Sequence, residues 1–377
     1  MNKRLFFLLT LSVLLVFAGC KDPYDLPPSS VEDSYLVVEG YLSANSPTTI
    51  KLSRTFKLDD TARVKPELMA SVSVESKNGA FFPLIAAGNG VYQSSQLPLN
   101  TNDQYRLHIF TVNNKEYYSE YIDYKPTPAI DSISWKRLDK GVQVYANTND
   151  PQNNTRFYRW EYDETWEFHS AYVSDLDYID NEIKLRERSP NITVCWNSRA
   201  STNILLGSSA KLERDVMFEA PLTLIPNRSW MLSVKYSILV RQYALTEKAY
   251  QYWQNMMKNS EKIGSIFDPQ PTELKGNIYS ATNANEIVIG YISAGTVEEK
   301  RIFISSNQVR NWGYSHGCIE QIVANKRDSL QMIFSSGSYE PIAEVTTPTG
   351  GAGYSYAPAD CIDCRLKGVN ERPSFWQ

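Results

Sequence analysis

From Tyr35 onward the chain alternates polar and apolar residues over short stretches. Tyr35–Leu42 is rich in β-formers, and Thr49-Ile-Lys-Leu-Ser53 and Ala70-Ser-Val-Ser-Val-Glu75 repeat with period two. Half-buried strands have that period, because successive side chains point to opposite faces of a sheet. Asn78-Gly79 and Asn89-Gly90 punctuate the pattern; both residue types accept the positive φ of tight hairpin turns. Gln104–Phe110 and Lys115–Tyr121 flank Val112-Asn113-Asn114, a further hairpin. Some six or seven short strands in about ninety residues predict an immunoglobulin-like β-sandwich, placed at residues 34–124.

Lys125-Pro-Thr-Pro128 reads as a stiff linker, since proline fixes φ and restrains the residue before it. A larger β domain is expected over 129–377. Its strands include Gly141–Ala146, Phe157–Tyr162 and Trp230–Val240, with Glu286–Ile292 pairing with Lys300–Ser305 across a turn near Gly295. One main helix is predicted near 246–263. Thr246 is a good N-cap, Glu247 suits the positive helix start, and Ala249, Tyr250, Trp253, Met256, Met257 and Ile263 recur near helical spacing. That stripe predicts a face packed on the sheet. The fold class is thus mostly β: an N-terminal sandwich, then a larger β domain with one helix.

The first residues follow a different pattern. Lys3 and Arg4 precede an apolar run from Leu5 to Phe17, closed by Ala18-Gly19-Cys20. This is a secretory signal over residues 1–19, too short to span a bilayer comfortably. Phe17-Ala-Gly-Cys20 resembles a bacterial lipobox, which implies a lipid on Cys20; several acyl chains make an anchor nearly permanent where one does not. Residues 20–33, with Pro23, Pro27 and Pro28, read as an extended tether. The expectation is therefore attachment to a membrane through Cys20, and no second apolar run approaches spanning length.

Composition narrows the partners. Removing residues 1–19 leaves 358 residues with 36 basic and 42 acidic side chains. A mildly acidic chain without a basic run does not suit nucleic acid. The 24 tyrosines and eight tryptophans suit β structure and also recognition surfaces.

Four cysteines remain besides Cys20: Cys195, Cys318, Cys361 and Cys364. An even number in an exported protein points to two disulfides stapling the C-terminal tail to the body. The preferred pairing joins Cys361 and Cys364 to Cys195 and Cys318, in an order the sequence does not fix. A redox C-x-x-C and a four-cysteine zinc site fit less well, since no helix follows the motif and the other two cysteines are isolated.

No catalytic or metal residue is assigned. Among His108, His169 and His316, the adjacent Ser315-His316 does not make a triad, which geometry defines, and no G-x-S-x-G elbow or glycine-rich phosphate loop is present. Asp59-Asp60 and Glu298-Glu299 read as solvated turn residues, and Asn147–Asn154 as a long hairpin loop. The one candidate ligand-binding group is aromatic: Tyr158, Trp160, Tyr162 and Trp166 crowd one strand, and exposed rings there would suit a glycan, a peptide or another protein. A thick aromatic core is the competing explanation.

Taken in order, Leu36-Val-Val-Glu-Gly-Tyr41, Leu52-Ser-Arg-Thr55, Gly90-Val-Tyr92, Tyr236–Gln242, Ala249–Trp253, Ser265–Pro271, Gly276-Asn277, Gly290-Tyr291, Arg301-Ile-Phe303, Asp360-Cys-Ile-Asp-Cys-Arg365 and Pro373-Ser-Phe-Trp376 resemble a Bacteroidota family known as a domain of unknown function. Its members are typically outer-membrane lipoproteins, often encoded beside TonB-dependent receptors. The resemblance implies a lipid-anchored outer-membrane protein that serves as a non-enzymatic accessory or ligand-capture partner of a TonB-dependent barrel; Asp22 and Asp25, just after Cys20, suit display at the cell surface, which such acidic residues accompany in some Gram-negative groups. The alternatives are a free-standing glycan- or peptide-binding adhesin and an extracytoplasmic hydrolase. No cofactor is expected, and the identity of a small-molecule, glycan or peptide ligand stays open.

Overall fold

The computed structural model describes residues 34–56, 65–186, 191–261 and 275–377. Cys20, its signal segment and tether, Asp59-Asp60, Ser265–Pro271 and residues 262–263 at the expected end of the helix lie outside the described residues. Among those described, no helix is long and apolar enough to cross a membrane.

The fold is mostly β. Where the N-terminal pattern predicts a sandwich, the strands instead close into a ring of eight. Around it run Gln104–Phe110, Ser71–Ser76, Phe81–Gly88, Val91–Gln96, Pro47–Arg54, Leu36–Ser43, Ala294–Gly295 and Ile122–Lys125, which returns to Gln104–Phe110. The alternation read in the sequence fills this barrel: Leu36, Val38, Ile50, Leu52, Leu107 and Ile109 all point inward and are at most 1% exposed.

The closing strand comes from far along the chain. Ala294–Gly295 runs parallel to Leu42–Ser43 on one side and to Tyr124–Lys125 on the other. Val288–Ile289 likewise pairs parallel with Leu36–Val37, and Ile278–Ser280 pairs antiparallel with Tyr117–Ser119. Parallel neighbours need long connections, so local hairpin signals cannot announce them. The segment expected to pair with Lys300–Ser305 therefore belongs to the barrel, and Glu298–Ser305 pairs with Lys235–Leu245 instead.

Glycine permits this closure at two points. A Cβ at Gly290, whose φ is +145°, would sit 2.2 Å from the Val38 carbonyl oxygen. A Cβ at Gly295 would sit 1.9 Å from the Lys125 carbonyl oxygen. Only a residue without a side chain lets the backbones approach this closely.

Two face-to-face sheets follow the barrel. One has three strands, Ile130–Leu138, Gly141–Asn149 and Val216–Pro226; the other is built on Val194–Ala200, Phe157–His169, Lys235–Leu245 and Glu298–Ser305, with Leu205–Ser208 also on Phe157–His169. Val142, Val144 and Ala146 from the first meet Tyr158, Trp160, Ile238 and Val240 from the second in one core. The sandwich architecture thus occurs after the linker rather than before it.

The helix Glu247–Glu261 leaves this second sheet and lies across its outer face, Tyr250 against Phe157 at 4.8 Å between ring centres. Thr246 Oγ1 accepts the Ala249 backbone N–H at 3.2 Å, the N-cap its sequence predicts. A small C-terminal sheet of Gln321–Ala324, Ala352–Pro358 and Tyr339–Thr346 packs with the helix Arg327–Phe334. Disulfides Cys195–Cys364 and Cys318–Cys361 staple this tail to the body, 169 and 43 residues apart in sequence. The order of pairing left open by the sequence is thereby fixed.

Candidate functional site

The aromatic group singled out in the sequence is not a surface. Tyr158, Trp160, Tyr162 and Trp166 are 0%, 2%, 7% and 4% exposed. They occupy one face of Phe157–His169 and point into the sandwich core. Two of their polar atoms are met there: the Tyr158 hydroxyl donates to Asp215, and Trp160 Nε1 donates to Gln242 Oε1 at 2.8 Å, while Trp166 Nε1 is buried without a hydrogen-bond partner among the described residues. Gln242 in turn donates to the Pro128 carbonyl at 2.8 Å and to Thr148 Oγ1 at 3.0 Å. Most buried polar groups are partnered in this way. These four residues are core, and the expectation of a binding platform there is corrected.

The opposite face of the same strand is the candidate site. Because side chains alternate, the odd positions Phe157, Arg159, Glu161 and Asp163 emerge where the even positions are buried. Register places Arg159 beside Tyr243, Glu161 beside Arg241, and Arg241 beside Glu299 on the next strand. The result is a charged floor. Arg159 Nη1 pairs with Glu161 Oε1 at 2.8 Å, the Tyr243 hydroxyl donates to Glu161 Oε2 at 2.8 Å, and Arg241 bridges Asp163 and Glu299, the latter at 2.9 Å.

Two walls rise from that floor. The helix supplies Tyr252, Trp253 and Met256; the first barrel strand supplies Val37, Glu39 and Tyr41. Between them lies an open cleft of about 810 Å³. The Arg159 guanidinium sits between two rings, 4.7 Å from the centre of Tyr243 and 4.3 Å from that of Trp253. Its Nε is buried without a hydrogen-bond partner among the described residues, so stacking holds that end of the group. Tyr41 meets Tyr243 edge-on at 5.0 Å and donates to the Thr296 carbonyl at 3.3 Å. Burial raises the Tyr41 and Tyr243 phenols well above their ordinary value and pushes Tyr252 up to about 12. All three are neutral donors at physiological pH.

A second hollow of about 480 Å³ lies against both disulfides, with Arg228, Trp230, His169 and His316 on its walls. His316 meets Tyr314 edge-on at 5.0 Å, and His169 Nε2 faces Glu167 at 3.0 Å. No hydrogen bond links Ser315 to His316, or His316 to a carboxylate, among the described residues. His108 lies on the barrel wall, its two ring nitrogens each 2.9 Å from a carboxylate, Glu75 and Glu116. Asn147–Asn149, expected in a hairpin loop over 147–154, instead end the strand Gly141–Asn149, and the next strand, Phe157–His169, lies in the other sheet. The turn between them is organised by Asp150, which accepts from the backbone N–H groups of Gln152, Asn154 and Thr155. Glu298 and Glu299, expected in a turn, instead open a strand.

Sequence inspection missed Arg159, Arg241, Tyr243 and the outward role of Trp253. The signal was present in the same strand: if aromatic residues hold the even positions, the charged odd positions must face out.

The family described as “Domain of unknown function (DUF4249)” matches residues 21–301. That span takes in the barrel, both sheets of the sandwich as far as Arg301, and every wall of the cleft. No curated protein matches the chain.

Proposed function

The chain belongs to the family described as “Domain of unknown function (DUF4249)”, and we propose that it works as a non-enzymatic cell-envelope lipoprotein that captures a ligand for a TonB-dependent outer-membrane transporter. The observation that carries the capture role is the cleft between barrel, sandwich and helix. Its volume of about 810 Å³ falls in the range of small-molecule sites, and it combines aromatic walls with a few fixed polar groups. Each floor carboxylate already accepts from an arginine or a tyrosine, which suits holding a ligand rather than moving a proton. Attachment through a lipid on Cys20, at the outer membrane of a Bacteroidota cell, follows from the lipobox-like segment and the family resemblance. The tether then lets the folded body reach a barrel beside it.

The test is a detergent pull-down of the tagged, lipidated protein from native membranes, with Cys20→Ser as the unlipidated control, followed by mass spectrometry. A stoichiometric outer-membrane barrel recovered with the wild type, and depleted with Cys20→Ser, is expected. Recovery of the lipidated protein alone would overturn the partnership and leave a free-standing glycan- or peptide-binding adhesin.

A further inference from the structure

Resting on the capture role just proposed, we infer that the cleft takes a neutral oligosaccharide. Three features select that chemistry. The first is charge. Two arginines and three glutamates line the cleft. Both arginines and two of the glutamates are engaged with one another or with Asp163: Arg159 with Glu161, and Arg241 with Glu299 and Asp163. A charged ligand meets no unmatched opposite charge on that floor and competes with these partners, and breaking a partly desolvated pair leaves an unmatched charge behind. Hydroxyl groups need no such exchange. They donate to carboxylate lone pairs that an arginine leaves free and accept from guanidinium N–H groups.

The second feature is which backbone surfaces face the cleft. Phe157–His169 is paired on both sides over residues 157–160 and 163–167, and Lys235–Leu245 over residues 235–242. Along those residues the floor offers side chains to a ligand and no strand edge. An extended peptide bound by strand addition relies on such an edge for its main-chain hydrogen bonds, and finds none along that part of the floor.

The third is the interleaving of rings with planar polar groups. Trp253, Tyr252 and Met256 stand over a floor of Glu161, Arg241 and Glu299. Sugars present both complements at once: apolar C–H faces for rings and adjacent hydroxyl pairs for bidentate carboxylate or guanidinium groups. The Glu299 side chain is 50% exposed and Glu161 39%, so their oxygens are reachable without opening the fold.

The experiment uses full-length protein in detergent on an array carrying neutral glycans, uronate and sulfated glycans, and peptides, beside Trp253→Ala and Glu299→Gln. Thermal melting confirms that each variant is folded; if Trp253→Ala melts far below the wild type, Glu299→Gln, at a half-exposed position, carries the comparison. Expected is binding to one group of neutral glycans, weakened about tenfold or more by either substitution, the equivalent of about 1.4 kcal/mol. Cleft-dependent binding of acidic glycans or of peptides would overturn the ligand class while leaving the capture role standing. Neutral-glycan binding indifferent to both substitutions would overturn the site. Absence of any wild-type signal above the variants would overturn both.

Discussion

The guanidinium of Arg159 lies 4.3 Å from the centre of the Trp253 ring, joining a sheet to a helix ninety-four positions further along the chain. That contact closes the helix onto the sheet and fixes one wall of the cleft. Arginine stacks where lysine does not, because its planar group lies flat on a ring. Arg159→Ala is expected to destabilise the protein by roughly 1–3 kcal/mol, since two ring contacts and one ion pair are lost. Arg159→Lys is expected to recover less than half of that loss. Urea denaturation of the three proteins decides it; equal stability of lysine and arginine would show that charge alone matters here.

Closure of the barrel rests on glycine. Gly295→Ala places a methyl group where the Lys125 carbonyl stands, 1.9 Å away, so backbone must shift. Overpacking of this kind costs typically 1–3 kcal/mol and sometimes more. The expected signature is local: faster hydrogen exchange at Leu42 and Ala44, whose N–H groups donate to Ser293 and Gly295. Unchanged exchange there would argue against the ring closure.

The two staples should differ. A disulfide stabilises chiefly by restricting the unfolded chain, by about 2–4 kcal/mol and more for longer loops. Cys195–Cys364 spans 169 residues and Cys318–Cys361 spans 43. The Cys195→Ser/Cys364→Ser double variant is therefore expected to melt lower than Cys318→Ser/Cys361→Ser. Calorimetry of both under non-reducing conditions reads the order directly.

Buried phenols give the protein an alkaline limit. Burial and the Glu286 carboxylate push Tyr117 up to about 12, and burial does the same for Tyr252. Between the ordinary tyrosine value near 10 and about 12, the folded chain keeps protons that the unfolded chain releases. Stability contributed by these groups is full below pH 10 and is lost as pH rises through that window. Denaturant midpoints measured from pH 8 to 12 should stay level and then fall, with tyrosinate absorbance appearing as unfolding occurs. Tyrosinate absorbance saturating before the midpoint moves would contradict this.

Much of the barrel was legible in the sequence, because local alternation and Asn-Gly turns specify antiparallel neighbours. Its closure was not. Ala294–Gly295 is only two residues long and pairs in parallel with strands about 170 and 250 positions earlier; nothing in its own composition marks it as a strand. The cysteine count announced two disulfides, while their order needed three-dimensional proximity. The site was obscured by a choice of face. Tyr158, Trp160 and Tyr162 attract notice as binding residues, yet large rings also fill a sandwich core best, and burial wins where a second apolar sheet is available. The plainer Arg159 and Glu161 between them mark the outward side. The helix stripe was read correctly as packed on the sheet at Ala249 and Tyr250, but Trp253 and Met256 lie at its margin and are half-buried in the cleft wall.

The central claim, that this cleft is the working surface, is tested most directly by hydroxyl-radical footprinting of the lipidated protein in native membrane vesicles, before and after adding the glycan bound most strongly on the array. Trp253 and Met256 are half-buried, reactive side chains on one wall, so protection concentrated on them is the predicted result. Protection confined to Trp230, Tyr314 and His316 in the second hollow, or no change at any of these residues, would contradict it.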